Sequence, residues 1–559
     1  MDDPYNQNYI LIDRLFDHSP QKVILSGSNL NIPEIIAVAR KNPIVEFTKD
    51  KKILNRIREC YLNMIKDIKK GVPIYGCNTG FGARASHIVN TGSPTRRLAL
   101  AKRISEGITH IDVSVGPHFE SEVVRAAILI RINMLMKGVS AVKLRDLEIY
   151  RQMLNKQLTP CVNQYGGIGA SGDLAHNCRI LNAARQMDNV YIKDQNGQIS
   201  SAKDAFGKAG IRKLKLDPKA GLGLVNGDNF STALASILAI DTLQVLVLAT
   251  AIGAMTIEVL RGSNRTFHPL LSQVRPHQGQ KEVASVYRYL LSGSKLIFNE
   301  MREHKKRKAG IKIQDGYSLR GIAQYHGVNI EKVKAYLKTI TINANSVSDN
   351  PLWVSPEYAI KGERPWHWVS GGNFLAMHMV EVIDGLRKIM TQIVKLNDRH
   401  LSRLVNPDES NGLAANLSDK HAVTQCAFKG VQIQSGMFDV YSSLLSIPVS
   451  TFFGVHEENN QDITSHSLTS GILALENLRL VRYSIAQNMI ALCQAVDLRG
   501  GSKRLSPKTR TLYHFIRERV HFVKKERSLN NDIEIIYQEI VGGKLIKLAR
   551  ESIFNDYNG

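Results

Sequence analysis

The sequence predicts an all-α protein: a central bundle of long, near-parallel helices joined to a mixed, loop-rich N-terminal region that bears the site. Three features lead there. Residues 231–260, 375–404 and 466–498 are helical runs without internal proline. Helices of roughly thirty residues reach about 45 Å, more than an ordinary domain needs, and so predict a bundle whose members are apolar most of the way round. A further helix is expected over 121–138, where "SEVVRAAILIRINMLMKG" repeats apolar residues at helical spacing. From residue 1 to 230, short apolar stretches are broken by Gly, Pro and Asn, as in loops that support a site.

The length of 559 residues suggests roughly three to four domain-sized units. The changes of texture divide it into an N-terminal site-bearing domain (1–230), a central long-helix bundle (231–500) and a charged C-terminal helical extension (501–559). A content of 43% hydrophobic and 22% charged residues is that of a globular protein and excludes a disordered or fibrous chain. The six cysteines, Cys60, Cys77, Cys161, Cys178, Cys426 and Cys493, include no CxxC pair and no cluster at metal-ligand spacing. Reduced thiols, a cytoplasmic setting and no metal are expected. The N-terminus, "MDDPYNQNYILIDRLF", lacks the basic-then-apolar order of a signal peptide. "VLVLATAIGAMTI" (245–257) is too short to span a bilayer and is flanked by Asp241, Gln244 and Glu258, so a buried core helix and no membrane association are expected.

A net charge of +23 implies a positive surface field, which attracts nucleic acid, membrane surfaces or acidic substrates. The sharpest basic run, "HKKRKAG" (304–310), has no aromatic residues interleaved for base stacking. With no RNA-binding signature, zinc finger or phosphate loop, it reads as a solvated loop, and nucleic acid is not an expected partner.

The chemistry concentrates in "GGIGASGDLAH" (166–176). Its plain reading is a turn, with Gly166, Gly167 and Gly169 supplying unusual backbone angles and Ser171 or Asp173 capping a helix that starts at Leu174. The order Ala170-Ser171-Gly172 admits a second reading. Gly172 has no side chain to keep its amide nitrogen from closing onto the carbonyl carbon of Ala170, and Ser171 can lose its hydroxyl as water. The product is a five-membered ring with an exocyclic methylene, an electrophile that no ordinary side chain supplies.

Further segments follow in order: "YGCNTGFG" (75–82), "GLGLVNGDNFSTALA" (221–235), "QDGYSLRGIAQ" (314–324), "NANSVSDNPL" (343–352), "VSGGNFLAM" (369–377), "AFKGVQI" (427–433) and "HEENNQDITS" (456–465). Together with the triplet they resemble the aromatic amino acid ammonia-lyases and aminomutases, the family of histidine, phenylalanine and tyrosine ammonia-lyases. Co-occurrence over roughly four hundred residues is far more specific than any one short match.

The resemblance implies that Ala170-Ser171-Gly172 cyclises autocatalytically into a methylidene-imidazolone (MIO), with no metal, nucleotide or pyridoxal cofactor. It implies Tyr75 as the base that removes a β-proton, a role that requires its phenol pKa to be lowered by positive charge or hydrogen bonds. It places Asn226 against substrate and prosthetic group, brings Gln314, Tyr317 and Arg320 to the site, and puts Phe374 close to the prosthetic ring. Tyr317 then supports catalysis from a neighbouring subunit. Arg320 suits the substrate carboxylate, because a guanidinium donates two parallel hydrogen bonds. Lys429, Glu457 and Gln461 carry over as pocket residues in a phenylalanine-type pattern. The family forms homotetramers whose sites are built from three chains.

The chain departs from the family at His176 and Asn177, where Pro and Leu are usual, at Gly316 and Ala323, and at Asn343 in place of a frequent glutamate. In "LALAKRISEGITH" (98–110), Arg103 and Ile104 align with the pair that meets the substrate side chain. Ile104 favours an apolar ring. Arg103 and Glu106 either select a polar group or pair with each other away from the pocket. The expected activity is that of a carbon–nitrogen lyase eliminating ammonia from a small aromatic L-α-amino acid to a 2-enoate, phenylalanine first, with histidine, tyrosine and a non-standard amino acid open. The alternatives are a 2,3-aminomutase, which differs in retaining the product, and a basic binding protein or pseudoenzyme on the same fold.

Overall fold

The computed structural model describes residues 4–16, 20–170, 172–299, 313–418, 424–452 and 454–558. Ser171 and the basic run 304–310 lie outside the described residues.

In chain order the elements that frame the site are α1 (Pro94–Gly107), strand β1 (Val115–His118), α2 (Ser121–Leu135), strand β2 (Asn163–Tyr165), α3 (Leu174–Ala184) and α4 (Asn229–Val259). There follow α5 (Ile322–Ala344), the short strands β3 (Leu352–Trp353) and β4 (Trp368–Val369), α6 (Met377–Val405), α7 (Lys429–Leu445), α8 (Ser467–Leu498) and α9 (Pro507–Arg517). The expected long helices thus appear as α4, α6 and α8, of 31, 29 and 32 residues. They pack against one another, with α2 and α5 laid on α4.

The reason α4 sits at the centre is compositional. Apolar residues occur on all sides of it, and all but one of its residues, Gln244, are buried. Ala220–Val259 is apolar and long enough to cross a membrane by composition, yet it lies inside the helical core. One continuous hydrophobic core runs through α2 to α9, while Ala101 of α1 packs in a second cluster, so truncating a buried aliphatic of the main core such as Leu246 costs about 2–5 kcal/mol.

Among the described residues, sheet is confined to small two- and three-stranded groups. Antiparallel β1–β2 delivers the chain into the glycine-rich segment before the triplet, and antiparallel β3–β4 holds the Asp349–Asn350 turn beside the Phe374 loop. Gly371 N–H donates to Asn350 Oδ1 at 2.9 Å, fixing that juxtaposition.

Candidate active site

Ala170 and Gly172 lie at the floor of a cavity of about 570 Å3, just before the first turn of α3. Gly169 and Gly172 are both left-handed, at φ 67°. A Cβ on Gly169 would fall 2.3 Å from Ser465 Oγ, and one on Gly172 would fall 2.3 Å from the Gly227 carbonyl carbon. Only glycine fits either position. Helix α3 does start at Leu174, but the Asp173 carboxylate does not cap it. It turns instead to Ser231, accepting from that residue's N–H at 2.8 Å and its hydroxyl at 2.9 Å. Burial pushes the Asp173 carboxyl up to about 7.

The two departures after the triplet tie this floor down. Asn177 Nδ2 donates to the carbonyls of Val225 and Gly227 at 3.0 and 3.1 Å and exchanges hydrogen bonds with Asn229. His176 is buried between Phe119 and Phe230, its Nε2 3.1 Å from the Gln164 carbonyl, and burial lowers it to about 4, so it is neutral. A neutral ring makes Nε2–H the donor in that bond. Asn343 donates to Asp228 at 3.0 Å and to Thr232 at 2.7 Å, a structural bond to the start of α4.

Above the floor, Tyr75 Oη accepts the Gly82 N–H at 2.9 Å. Burial raises the phenol pKa, the Gly82 N–H opposes that rise, and the nearby Glu457 and Asp349 add to it. The lowering by positive charge that a base requires is not supplied by this chain's cavity, whose described lining contains no Lys, Arg or His. Asn226 Nδ2 is directed to Asp349 Oδ1 at 3.4 Å and the Asn350 carbonyl at 3.3 Å. Buried Arg131 donates to the carbonyls of Ser348 and Asn226, at 2.7 and 3.0 Å, and so holds the backbone of both segments.

The cavity mouth is formed by a hairpin in which His456 and Gln461 exchange backbone hydrogen bonds at 3.0 and 3.1 Å. Between them Glu457, Glu458 and Asn459 run left-handed at φ 53°, 56° and 66°. Three consecutive non-glycine residues in that region cost about 1–2 kcal/mol each, and cross-links hold them there. Glu457 Oε1 accepts the Ala83 N–H at 3.1 Å, Asn460 donates to Glu457 Oε2 at 2.7 Å, and Arg84 pairs with Glu458 at 2.9 Å. These contacts join the mouth to the loop that carries Tyr75.

Of the residues expected at the site, Tyr75, Ala170, Gly172, Asn226, Phe374, Glu457 and Gln461 line this cavity. Ile104 is half-buried and outside its lining, and Arg103 is exposed. One turn further on, Ile108 and Ile111 line the cavity and supply an apolar end that the alignment of Ile104 missed. They lie in a 3-10 turn that follows α1, and helical periodicity extended from Ile104 does not distinguish them from it. Gln314 and Lys429 are exposed, and none of Gln314, Tyr317, Arg320 and Lys429 lines this cavity. Tyr317 is 74% exposed, with the Arg320 guanidinium 4.6 Å over its ring.

A helical core that presents a tyrosine, a glycine-flanked triplet and an amide in one apolar-ended cavity defines a class, the helical carbon–nitrogen lyases. The chain belongs to the aromatic amino acid lyase family, which residues 30–518 match. A phenylalanine ammonia-lyase of Nostoc punctiforme is 30% identical over 561 residues, covering 97% of this chain and 96% of its own. A histidine ammonia-lyase of Streptococcus sanguinis is 31% identical over 520 residues, covering 92% and 94%. Among solved structures, a tyrosine aminomutase from Streptomyces globisporus superposes with a TM-score of 0.85 at 26% identity, over 95% of this chain and 99% of that one.

Proposed function

We propose that the protein is an MIO-dependent ammonia-lyase that converts an aromatic L-α-amino acid with an uncharged ring, phenylalanine first, into a 2-enoate and ammonia. The observation that carries this is one cavity lined together by Tyr75, the triplet residues Ala170 and Gly172, and the apolar side chains of Ile108 and Ile111. The triplet's surroundings fit the prosthetic group, since Gly169 and Gly172 sit where a Cβ has no room. When formed, that group supplies an electrophilic methylidene carbon for the substrate amine.

This chain's residues do the rest. The Glu457 carboxylate, at the mouth, attracts the substrate ammonium. Ile108, Ile111 and Phe374 enclose the ring and exclude water. Tyr75 Oη takes the β-proton, and the Gly82 N–H stabilises the phenolate that accepts it. The substrate carboxylate is held by Arg320, with Tyr317, from a second copy of the chain.

Two observations support that assembly, a homotetramer in this reading. The described cavity lining holds no cation for a carboxylate, while Arg320 and Tyr317 lie elsewhere. Helix α7 also leaves Ile433, Met437, Val440 and Leu444 exposed along one stripe at helical spacing. A cytoplasmic location rests on the six free thiols.

Incubation of the purified protein with phenylalanine, tyrosine, histidine and a wider amino acid panel, read by chiral mass-resolved chromatography, tests the reading. A product lighter by one ammonia names the substrate. A product of unchanged mass with the amine on the β-carbon establishes the second reading, a 2,3-aminomutase, which the likeness to the tyrosine aminomutase favours. No conversion of any amino acid leaves the pseudoenzyme reading standing.

A further inference from the structure

A buried row of three serine hydroxyls joins the two ends of the triplet. On the N-terminal side, Ser465 Oγ donates to the Gly169 carbonyl at 3.0 Å. Ser465 Oγ lies 3.3 Å from Ser467 Oγ, which lies 2.7 Å from Ser231 Oγ. On the C-terminal side, the Ser231 hydroxyl donates to Asp173 Oδ1 at 2.9 Å. Ser231, Ser465, Ser467 and Asp173 are all wholly buried. The row crosses from the segment before α8, through that helix's first residue, to the first turn of α4, and ends at α3. It therefore brackets Ala170–Gly172 from Gly169 to Asp173, and none of its three serines lines the cavity.

Three buried hydroxyls have a cost unless each is hydrogen-bonded, and here each has a partner. What the row does that alanines would not is fix the Gly169 carbonyl relative to the Asp173 carboxyl. Closure of the ring needs that restraint. The Gly172 nitrogen bonds to the Ala170 carbonyl carbon, and the carbonyl oxygen leaves as one water with the amide protons of Ser171 and Gly172. The Ser171 hydroxyl and its Cα hydrogen leave as the second water and give the methylidene. Both flanking residues must stay in place while the chain between them shortens.

We propose that Ser231, Ser465 and Ser467 are positioning residues for this ring closure, holding the two flanks so that the Gly172 nitrogen is kept on the Ala170 carbonyl carbon. The proposal rests on the MIO reading above. Preorganisation of this kind sets the rate of an intramolecular attack, and a loosened flank slows it without abolishing the fold.

The test is the intact mass of full-length wild type, Ser467→Ala and Ser465→Ala, followed in time after cell-free synthesis, beside their circular dichroism and thermal midpoints. Wild type is expected to lose the mass of two waters. Each variant is expected to lose it at least ~10-fold more slowly while keeping wild-type helicity and a cooperative melt. Loss of two waters at the wild-type rate in both variants overturns the proposal. Loss of the folded state in both also overturns it, because the hydroxyls would then serve the fold rather than the ring. If Ser467→Ala alone fails to fold, Ser465→Ala decides on the same criteria. A wild-type chain that never loses the waters defeats the MIO reading itself, a result distinguishable from either outcome in the variants.

Discussion

Lys219 Nζ lies 2.7 Å from Asp349 Oδ2, with both side chains wholly buried, and the other oxygen of that carboxylate faces the Asn226 amide at 3.4 Å. A buried ion pair thus stands directly behind an amide that lines the cavity. Removing one member leaves the other charge buried without its ion-pair partner. Lys219→Met should lower stability by about 3–5 kcal/mol, while Lys219→Met combined with Asp349→Leu should recover much of the loss. Chemical denaturation of the two single variants and the double variant measures this. Additive losses would show that the charges do not interact.

Tyr75→Phe keeps the ring and removes the acceptor of the Gly82 N–H. Turnover of the best substrate should fall ~10²–10⁴-fold, with KM changed far less, because only the proton transfer is lost. The mass of the purified variant should still be short by two waters. Steady-state kinetics beside that mass separate a catalytic loss from a failure of maturation.

Ile108 and Ile111 set the apolar end of the cavity. Ile108→Ala should reduce kcat/KM for phenylalanine by roughly 10–100-fold and narrow the preference over tyrosine, since a lost side chain in an apolar pocket is worth about 1–3 kcal/mol. Ile104→Ala, outside the lining, should change the ratio much less. Competition between the two substrates gives the ratio directly.

Glu258, at the end of α4, accepts the Ser506 N–H at 2.6 Å and bonds the Thr509 hydroxyl, holding the start of α9. Burial raises its carboxyl from 4.5 to about 7. The folded state therefore binds this proton more tightly than the unfolded state. Its stabilising contribution is complete below pH 4.5 and is lost as pH rises to about 7, up to about 3 kcal/mol for this one group. Glu258→Gln should flatten that part of the stability profile between those limits. Urea unfolding across pH 4.5–8 measures the difference, and an unchanged slope would remove Glu258 as its source.

Charge on the exposed stripe of α7 tests the assembly. If the proposed oligomer forms through this stripe, Met437→Glu with Leu444→Lys should give smaller species than wild type in light scattering and abolish turnover as well, although neither residue lines the cavity. A monomer with full activity would show that Arg320 and Tyr317 of a second copy are not needed.

The long helices were legible because their pattern is local. The run expected over 231–260 is α4 within two residues, and apolar composition on every side of it foretold its burial. Where chemistry constrains residue type, the residues expected together, Tyr75, Ala170, Gly172 and Asn226, line one cavity. The site was less legible where backbone geometry decides. The chain leaves α1 and tightens into a 3-10 turn over Ile108–Ile111, which sends Ile108 and Ile111 to the cavity in place of Ile104. Asp173 reads as a cap until Ser231, 58 positions away in the chain, captures it. A left-handed run at Glu457, Glu458 and Asn459 has no glycine to announce it.

The bond between Ala83 and Glu457 spans 374 positions of the chain. A ribosome adding ~5–20 residues per second needs roughly 20–75 s between placing the first and supplying the second. Throughout that interval the loop with Tyr75 has no mouth to close against, and Gly169 has no Ser465 to hold it. A nascent chain stalled before residue 456 holds the tyrosine and the triplet but not the hairpin that joins them. The cavity that Tyr75 and the triplet share is thus finished only once the chain has been translated past Ser465.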